Sequence, residues 1–172
     1  MAVRAQPPRP PAAVLFACNF NRVRSPMAEA LCKLMLGREV FVDSCGLAHA
    51  PADADEPDDV IQADPFVGEV MAEVGYQLVH HRAKTFDELE DSSFDLVISL
   101  TPESQDRASE LARGKAADIE FWPIADPTLV DGSRDVRLAA YRQVRDDLAC
   151  HIAERFGAAP PVPIDLPPHG AL

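Results

Sequence analysis

Four short apolar runs, AAVLFAC (12–18), REVFVDS (38–44), FDLVISL (94–100) and DIEFWPI (118–124), punctuate the chain and read as strands. Between and after them lie segments with a helical recurrence of apolar positions: 26–36, 65–75, 102–112 and 134–156. Three of these begin on a proline, Pro26, Pro65 and Pro102, which suits the first helical position because its φ is already set and its missing N–H would have had no partner. On the last helix Val136, Ala140, Val144, Leu148, Ile152 and Phe156 mark the expected buried side. Strand and helix in alternation predict an α/β fold, three layers with a central four-stranded parallel sheet, and ligands taken up at the carboxyl ends of the strands. No internal repeat is evident.

The ends depart from this pattern. Residues 1–12 carry four prolines and residues 158–172 are again rich in Pro, Gly and Ala, so both are expected to be extended or disordered tails around one folded domain at 13–157. A chain of 172 residues, 47% of them hydrophobic, is enough for one such domain and too short for two. Its formal charge of −12 argues against a nucleic-acid surface, which would need clustered Lys and Arg, so any bound anion must be met by a local site. No run approaches the roughly 18 to 20 apolar residues of a membrane span, and the first residues lack the apolar core of a secretory signal. A cytoplasmic protein with no membrane partner is the expectation. The cysteines, at 18, 32, 45 and 150, form no CxxC pair and no metal-ligand spacing, so free thiols, no metal and no cofactor are expected.

One loop changes the picture. CNFNRVRSP follows the first strand and opens the first helix, so residues 18–25 are placed to turn successive N–H groups inward while the helix beginning at Ser25 or Pro26 adds its dipole. That is a cradle for a phosphate-sized oxyanion, formed by Asn19, Phe20, Asn21, Arg22, Val23, Arg24 and Ser25. Arg24 offers a planar fork of donors that keeps its charge at physiological pH. Cys18, at the foot of the cradle, lies in the same positive field, which favours the nucleophilic thiolate and places it for in-line attack on phosphorus. The plain alternative is a small core residue; the strand before it and the Ser-Pro and helix after it favour the chemistry. Ser25 reads equally as a helix N-cap and as a hydrogen-bond partner of the sulfur. Arg22 reads as solvent-facing apart from its backbone.

These residues resemble the low-molecular-weight protein-tyrosine phosphatases and the arsenate reductases that share their fold. The family loop, C-x-x-N-x-x-R-S-P, is matched by Cys18, Asn21, Arg24, Ser25 and Pro26, followed by Met-Ala-Glu-Ala. Asp43-Ser44-Cys45-Gly46, His81-Arg82-Ala83-Lys84 and Asp126-Pro127 are similar to further family segments in the same order, so the resemblance spans residues 13–156. It implies a phosphotyrosine protein phosphatase I-like fold and a phosphocysteine route in which Asp126 first protonates the leaving oxygen and then serves as base toward water. It also implies that Asn21 holds the loop's shape. Read on its own, Asp-Pro is a common turn.

Some positions depart from the family pattern. Phe20 stands where glycine is usual, which would cost energy if that backbone needed positive φ. Val23 replaces the second loop cysteine of many members, leaving Cys45 as a candidate redox partner for Cys18, against a plain core role. Thr128, Leu129 and His49 occupy the places where relatives carry aromatic walls. Phe20 or Trp122 could supply that ring, although Trp122 in a strand reads as core. His80 and His81 read as structural or exposed, Cys32 and Cys150 as buried, and the run 52–59 as a solvated acidic face that disfavours highly anionic substrates. The expected activity is a phosphatase acting on protein phosphotyrosine or a small phosphate ester, with inorganic phosphate or a similar oxyanion in the loop. An arsenate reductase and a non-catalytic phosphoryl-binding module are the alternatives. The family's thiol-relay form of the reductase needs cysteines after the third strand, and residues 94–117 contain none.

Overall fold

The computed structural model describes residues 10–51, 62–91, 93–163. The outer parts of both expected tails and the acidic run 52–59 lie outside the described residues. Strands β1 (Ala13–Cys18), β2 (Phe41–Gly46), β3 (Leu96–Ser99) and β4 (Asp118–Phe121) form one parallel sheet in the order β2-β1-β3-β4. Helices α1 (Arg24–Leu36), α2 (Pro65–Ala72), α3 (Pro102–Ala112) and α4 (Arg134–Phe156) cover it. This is the expected three-layer α/β architecture.

The pleat of β1 sorts the two layers, because successive side chains point to opposite faces. Val14, Phe16 and Cys18 join Leu31 of α1, Val70 of α2 and Leu148 of α4 in the larger core. Leu15 and Ala17 join Cys45, Phe86, Val97 and Ala108 of α3 in the smaller one. Chain order sends β1 out to β2 on one side and places β3 on its other side, so a switch point opens at the carboxyl ends of β1 and β3. Among the described residues, no helix is long and apolar enough to cross a membrane.

The structure corrects several boundaries. Helix α1 begins at Arg24 rather than at Ser25 or Pro26, with Val23 as N-cap and no side-chain cap. Pro26 therefore sits third in the helix, where a first-turn N–H has no intrahelical partner to lose. The fourth strand ends at Phe121, but the chain still follows β3: the Trp122 N–H donates to Ser99 O at 2.9 Å and the Ile124 N–H to Leu100 O at 3.4 Å. On α4 the expected stripe drifts off the core. Steps of four residues advance about 40° beyond a full turn, so Val136 is exposed while Leu138 and Tyr141 are buried in its place. Cys150, about 100° around α4 from buried Ala149, is exposed; Cys32 is buried as expected.

Helices α2 and α4 are clamped by charge. Arg145, 3% exposed, donates to Val70 O at 2.9 Å and to the Glu73 carboxylate at 2.7 Å, and Arg142 grips the same carboxylate with two nitrogens. Burial pulls the Glu73 carboxyl upward, but the two guanidinium groups more than reverse this and hold its pKa below the ordinary value.

Candidate active site

Residues 18–25 leave the end of β1 and enter α1 as a tight loop pinned from three sides. Asn19 O accepts from the Leu47 N–H at 2.8 Å and the Ala48 N–H at 3.1 Å, tying the loop to the chain after β2. Its side-chain oxygen accepts from Thr101 Oγ1 at 2.7 Å, and Thr101 also caps α3 through the Ser104 N–H. At Gly46 a Cβ would stand 2.8 Å from Asn21 N, 2.8 Å from Phe20 C and 2.9 Å from Asn19 O, so only glycine lets β2 approach this closely.

Asn21 is the hub. Its φ of 55° lies in the left-handed region that asparagine tolerates better than most residues. Its amide nitrogen donates to Ser25 Oγ at 2.8 Å and Ser44 Oγ at 2.9 Å, its amide oxygen accepts from the Lys84 N–H at 3.1 Å, and its carbonyl accepts from His81 Nε2 at 2.9 Å. A carbonyl can only accept, so His81 carries its proton on Nε2 in this contact. Burial, most of all, holds the His81 pKa below its usual value; the Asn21 carbonyl and Glu29 oppose that shift, while Lys84 and Lys33 add to it. Ser44 Oγ is in turn bound to the Glu29 carboxylate on α1.

Ser25 lies inside α1, so it is not the N-cap. Its hydroxyl instead sits 2.9 Å from Cys18 Sγ and 3.2 Å from Cys45 O. The Cys45 carbonyl can only accept, so the hydroxyl donates to it, and between Ser25 Oγ and Cys18 Sγ either atom can be the donor. The uncapped start of α1 directs its N–H groups and positive dipole end at the same place, the ordinary setting for a bound oxyanion.

Arg24 and Asp126 close the other side. The path of the chain beyond β4 lays the Ile124 carbonyl 3.1 Å from Arg24 Nη1 and the Asp126 carboxylate 3.6 Å from Arg24 Nη2. The second Asp126 oxygen accepts from Thr128 N at 3.0 Å and from Thr128 Oγ1 at 2.6 Å, which fixes the carboxylate at the start of the short turn Pro127–Leu129. Cys18, Arg24 and Asp126 thus line one cavity of about 400 Å³, together with Phe20, Asp64 and Thr128. A thiol beneath an anion cradle, a fixed guanidinium and a carboxylate facing the same space form a set able to carry phosphoryl chemistry.

The family model of the low molecular weight phosphotyrosine protein phosphatases matches residues 13–154. The chain belongs to that family. Similar relatives include a protein-arginine-phosphatase of Bacillus subtilis, 32% identical and covering 78% of this chain and 88% of its own length. An arsenate reductase of Halalkalibacterium halodurans is 28% identical over 81% of this chain and 91% of the relative. Among solved structures, an arsenate reductase in the phosphate-binding state superposes with a TM-score of 0.64 at 24% identity, covering 84% of this chain and 96% of that one, a likeness of fold.

Set against the phosphatase family pattern, four positions are now placed. Phe20 adopts no positive φ, since among the described non-glycine residues only Asn21 and His80 do, so the expected strain does not arise there. Arg22 is not merely solvent-facing: it lines the cavity, its Nε donates to Gln62 O at 3.1 Å, and its carbonyl accepts from the Asp64 N–H at 2.9 Å, binding the start of α2 to the loop. Trp122 is core, 7% exposed, with its ring against Phe16 and stacked on His151. Cys45 turns into the smaller core, away from the Cys18 layer, and burial pushes its thiol pKa far up, the nearby Cys18 and Asp43 adding to the shift. That placement disfavours Cys45 as a resolving thiol. The roles of Thr101 and Ser44 escape a sequence reading, since a threonine before a proline-initiated helix signals only a cap.

Proposed function

We propose that this member of the family hydrolyses phosphomonoesters through a phosphocysteine intermediate, with protein phosphotyrosine or a small phosphate ester as substrate. The observation that carries the reading is the convergence of Cys18, Arg24 and Asp126 on one cavity at the start of α1. Inorganic phosphate or a similar oxyanion occupies the loop, held by its N–H groups and by Arg24, whose planar fork matches two phosphoryl oxygens. The Cys18 thiolate attacks phosphorus as the P–O bond to the leaving group breaks, and Asp126 gives its proton to the departing oxygen. The Asp126 carboxylate then takes a proton from water, which attacks phosphorus, breaks the P–S bond and releases phosphate. Ser25, 2.9 Å from the sulfur, supports the thiolate as it attacks and again as it departs when the P–S bond breaks.

Arsenate reduction is the second reading, favoured by the arsenate reductases among the relatives. A relay of thiols within this chain has little to draw on, because Cys32 packs inside the larger core, Cys45 turns into the smaller one, and Cys150 lies exposed on α4. Such an activity would depend on a thiol donor from outside the chain.

Hydrolysis of p-nitrophenyl phosphate by wild type, Cys18→Ser and Asp126→Ala, with arsenate reduction assayed in parallel using glutathione and a redoxin, separates the readings. Cys18-dependent phosphate release is expected, with Asp126→Ala slower by about 10² to 10⁴. Arsenate turnover with little phosphate release would replace the phosphatase by the reductase. Silence in both assays from a folded protein that binds phosphate would leave a binding module.

A further inference from the structure

We propose that Phe20 is the specificity-determining platform of the cleft, its ring receiving the planar leaving group of an aryl phosphate whose phosphoryl group sits in the loop. The inference rests on the phosphoryl-transfer reading above and names its substrate class.

The aromatic wall expected after Asp126-Pro127 is not there, and the other rings near the cleft are committed elsewhere. Trp122 is packed between Phe16 and His151, and His49 is bound to Glu88 at 2.7 Å. Among the described residues that line the cavity, Phe20 is the one aromatic side chain. It is also 44% exposed, although Cys18 and Asn21 on either side of it in the same loop are buried. A large apolar ring left half in water gains free energy from whatever covers it.

The backbone that carries this ring is held in place. The approach of Gly46 to Phe20 C and Asn21 N leaves no room behind the backbone, and the Asn19 carbonyl and the Asn21 side chain are held by the hydrogen bonds already described. A ring carried on a held backbone leaves a ligand less to order. Ala50 and Thr128, both small, line the same cavity and leave width for a ring. Asp126 shares the cavity too, so an aryl oxygen departing toward its carboxyl carries its ring along the wall that Phe20 supplies. Stacked or edge-on aromatic pairs add attraction beyond the area they bury, which an alkyl leaving group cannot match.

The test is a calorimetric titration of phenylphosphonate and methylphosphonate, two non-hydrolysable probes with the same anionic head, into wild type, Phe20→Ala, Phe20→Leu and Phe20→Tyr, with inorganic phosphate as reference. Wild type is expected to prefer the phenyl probe by about tenfold, or about 1.4 kcal/mol. In Phe20→Ala that preference should fall to about twofold or less; Phe20→Tyr should keep it and Phe20→Leu should keep only part. An unchanged preference in Phe20→Ala would overturn the proposal, as would a loss of inorganic phosphate affinity as large as the loss for the phenyl probe, since that would make Phe20 a loop-shaping residue. The titration needs no turnover. A wild type that prefers the phenyl probe but hydrolyses no phosphate ester would sink the phosphatase reading and leave the platform standing; one that hydrolyses esters without that preference would do the reverse.

Discussion

Cys18 ends β1 and Cys45 lies one residue before the end of β2, and their thiols sit in opposite surroundings. The pairing of β1 with β2 sets Ala17 against Cys45 and Cys18 against Gly46, so the two cysteines are one residue out of register. On a pleated sheet one residue is enough to change faces. Cys18 turns to the side where α1 begins, beside a serine hydroxyl and under a helix dipole; Cys45 turns among Phe86, Val97 and Ala108, where burial holds its thiol protonated. Under the phosphatase reading proposed above, reactivity belongs to the start of α1 and to the loop that precedes it, and the cysteine side chain contributes only the sulfur.

The largest test of that contrast exchanges each sulfur in turn. Cys18→Ser should lower phosphate-ester hydrolysis by a factor on the order of 10⁴ or more, because a hydroxyl without a neighbouring base is a poor nucleophile. Cys45→Ala should leave turnover within a few-fold and cost about 1 kcal/mol of stability through the small void it opens. Loss of activity in both variants would mean that Cys45 takes part in the chemistry despite its burial. Iodoacetamide in a Cys150→Ala background gives a direct readout, since Cys150 is exposed. Cys18 should label first and be protected by inorganic phosphate.

Removing the hydroxyl beside the sulfur narrows the contrast without touching either cysteine. A hydrogen bond to a charged group contributes about 1.5 to 3 kcal/mol, so Ser25→Ala should slow hydrolysis by roughly 10 to 100-fold. Labelling of Cys18 at neutral pH should slow with it. Unchanged labelling would show that the helix start alone sustains the thiolate.

Gly46→Ala attacks the loop from behind. A methyl group 2.8 Å from two backbone atoms forces the loop off β2, at a cost of about 1 to 3 kcal/mol. Phosphate affinity should fall about tenfold. Wild-type affinity in this variant would mean that the close approach at Gly46 does not set the shape of the cradle.

How far such a contrast can be read from sequence depends on how local its causes are. The alternation of apolar runs and helical segments located all four strands and all four helices, because buried parallel strands and amphipathic helices write their periods directly into the chain. The loop was legible as well, since its thiol, guanidinium and helix start lie within eight residues, Cys18 to Ser25. What failed depends on register and distance. Nothing local says that Cys45 and Cys18 face opposite ways, that Thr101 at the start of α3 holds Asn19, or that Arg145, in the middle of an amphipathic helix, is buried against Glu73. The proline at position 26 misplaced the start of α1, because a proline fits any position of a helix's first turn and not its first residue alone.

The smallest expected effect is a pH dependence on the Cys18 side of the sheet. Folded His81 is neutral, with Nε2–H on the Asn21 carbonyl, and its pKa lies below the ordinary 6.5, chiefly through burial. Above that value folded and unfolded chains are both neutral at this residue, so it adds no slope. As pH falls through 6.5 the unfolded chain takes up a proton that the folded chain refuses, and stability declines until the folded pKa is reached. The carboxylates Glu73 and Glu88, whose pKa values are lowered, contribute stability that is lost only as pH falls below about 4.5, so the two windows separate. His81→Gln keeps an N–H donor for Asn21 and removes the titration. Urea midpoints measured from about pH 7.5 down to about pH 5.5 should fall for wild type and fall less for the variant. Because His81 braces Asn21, and Asn21 braces Ser25, the wild-type loss should appear earlier in phosphate protection of Cys18 than in the global midpoint. Equal slopes in the two proteins would remove His81 from the support of the loop and leave Asn21 held by Ser25, Ser44 and Lys84.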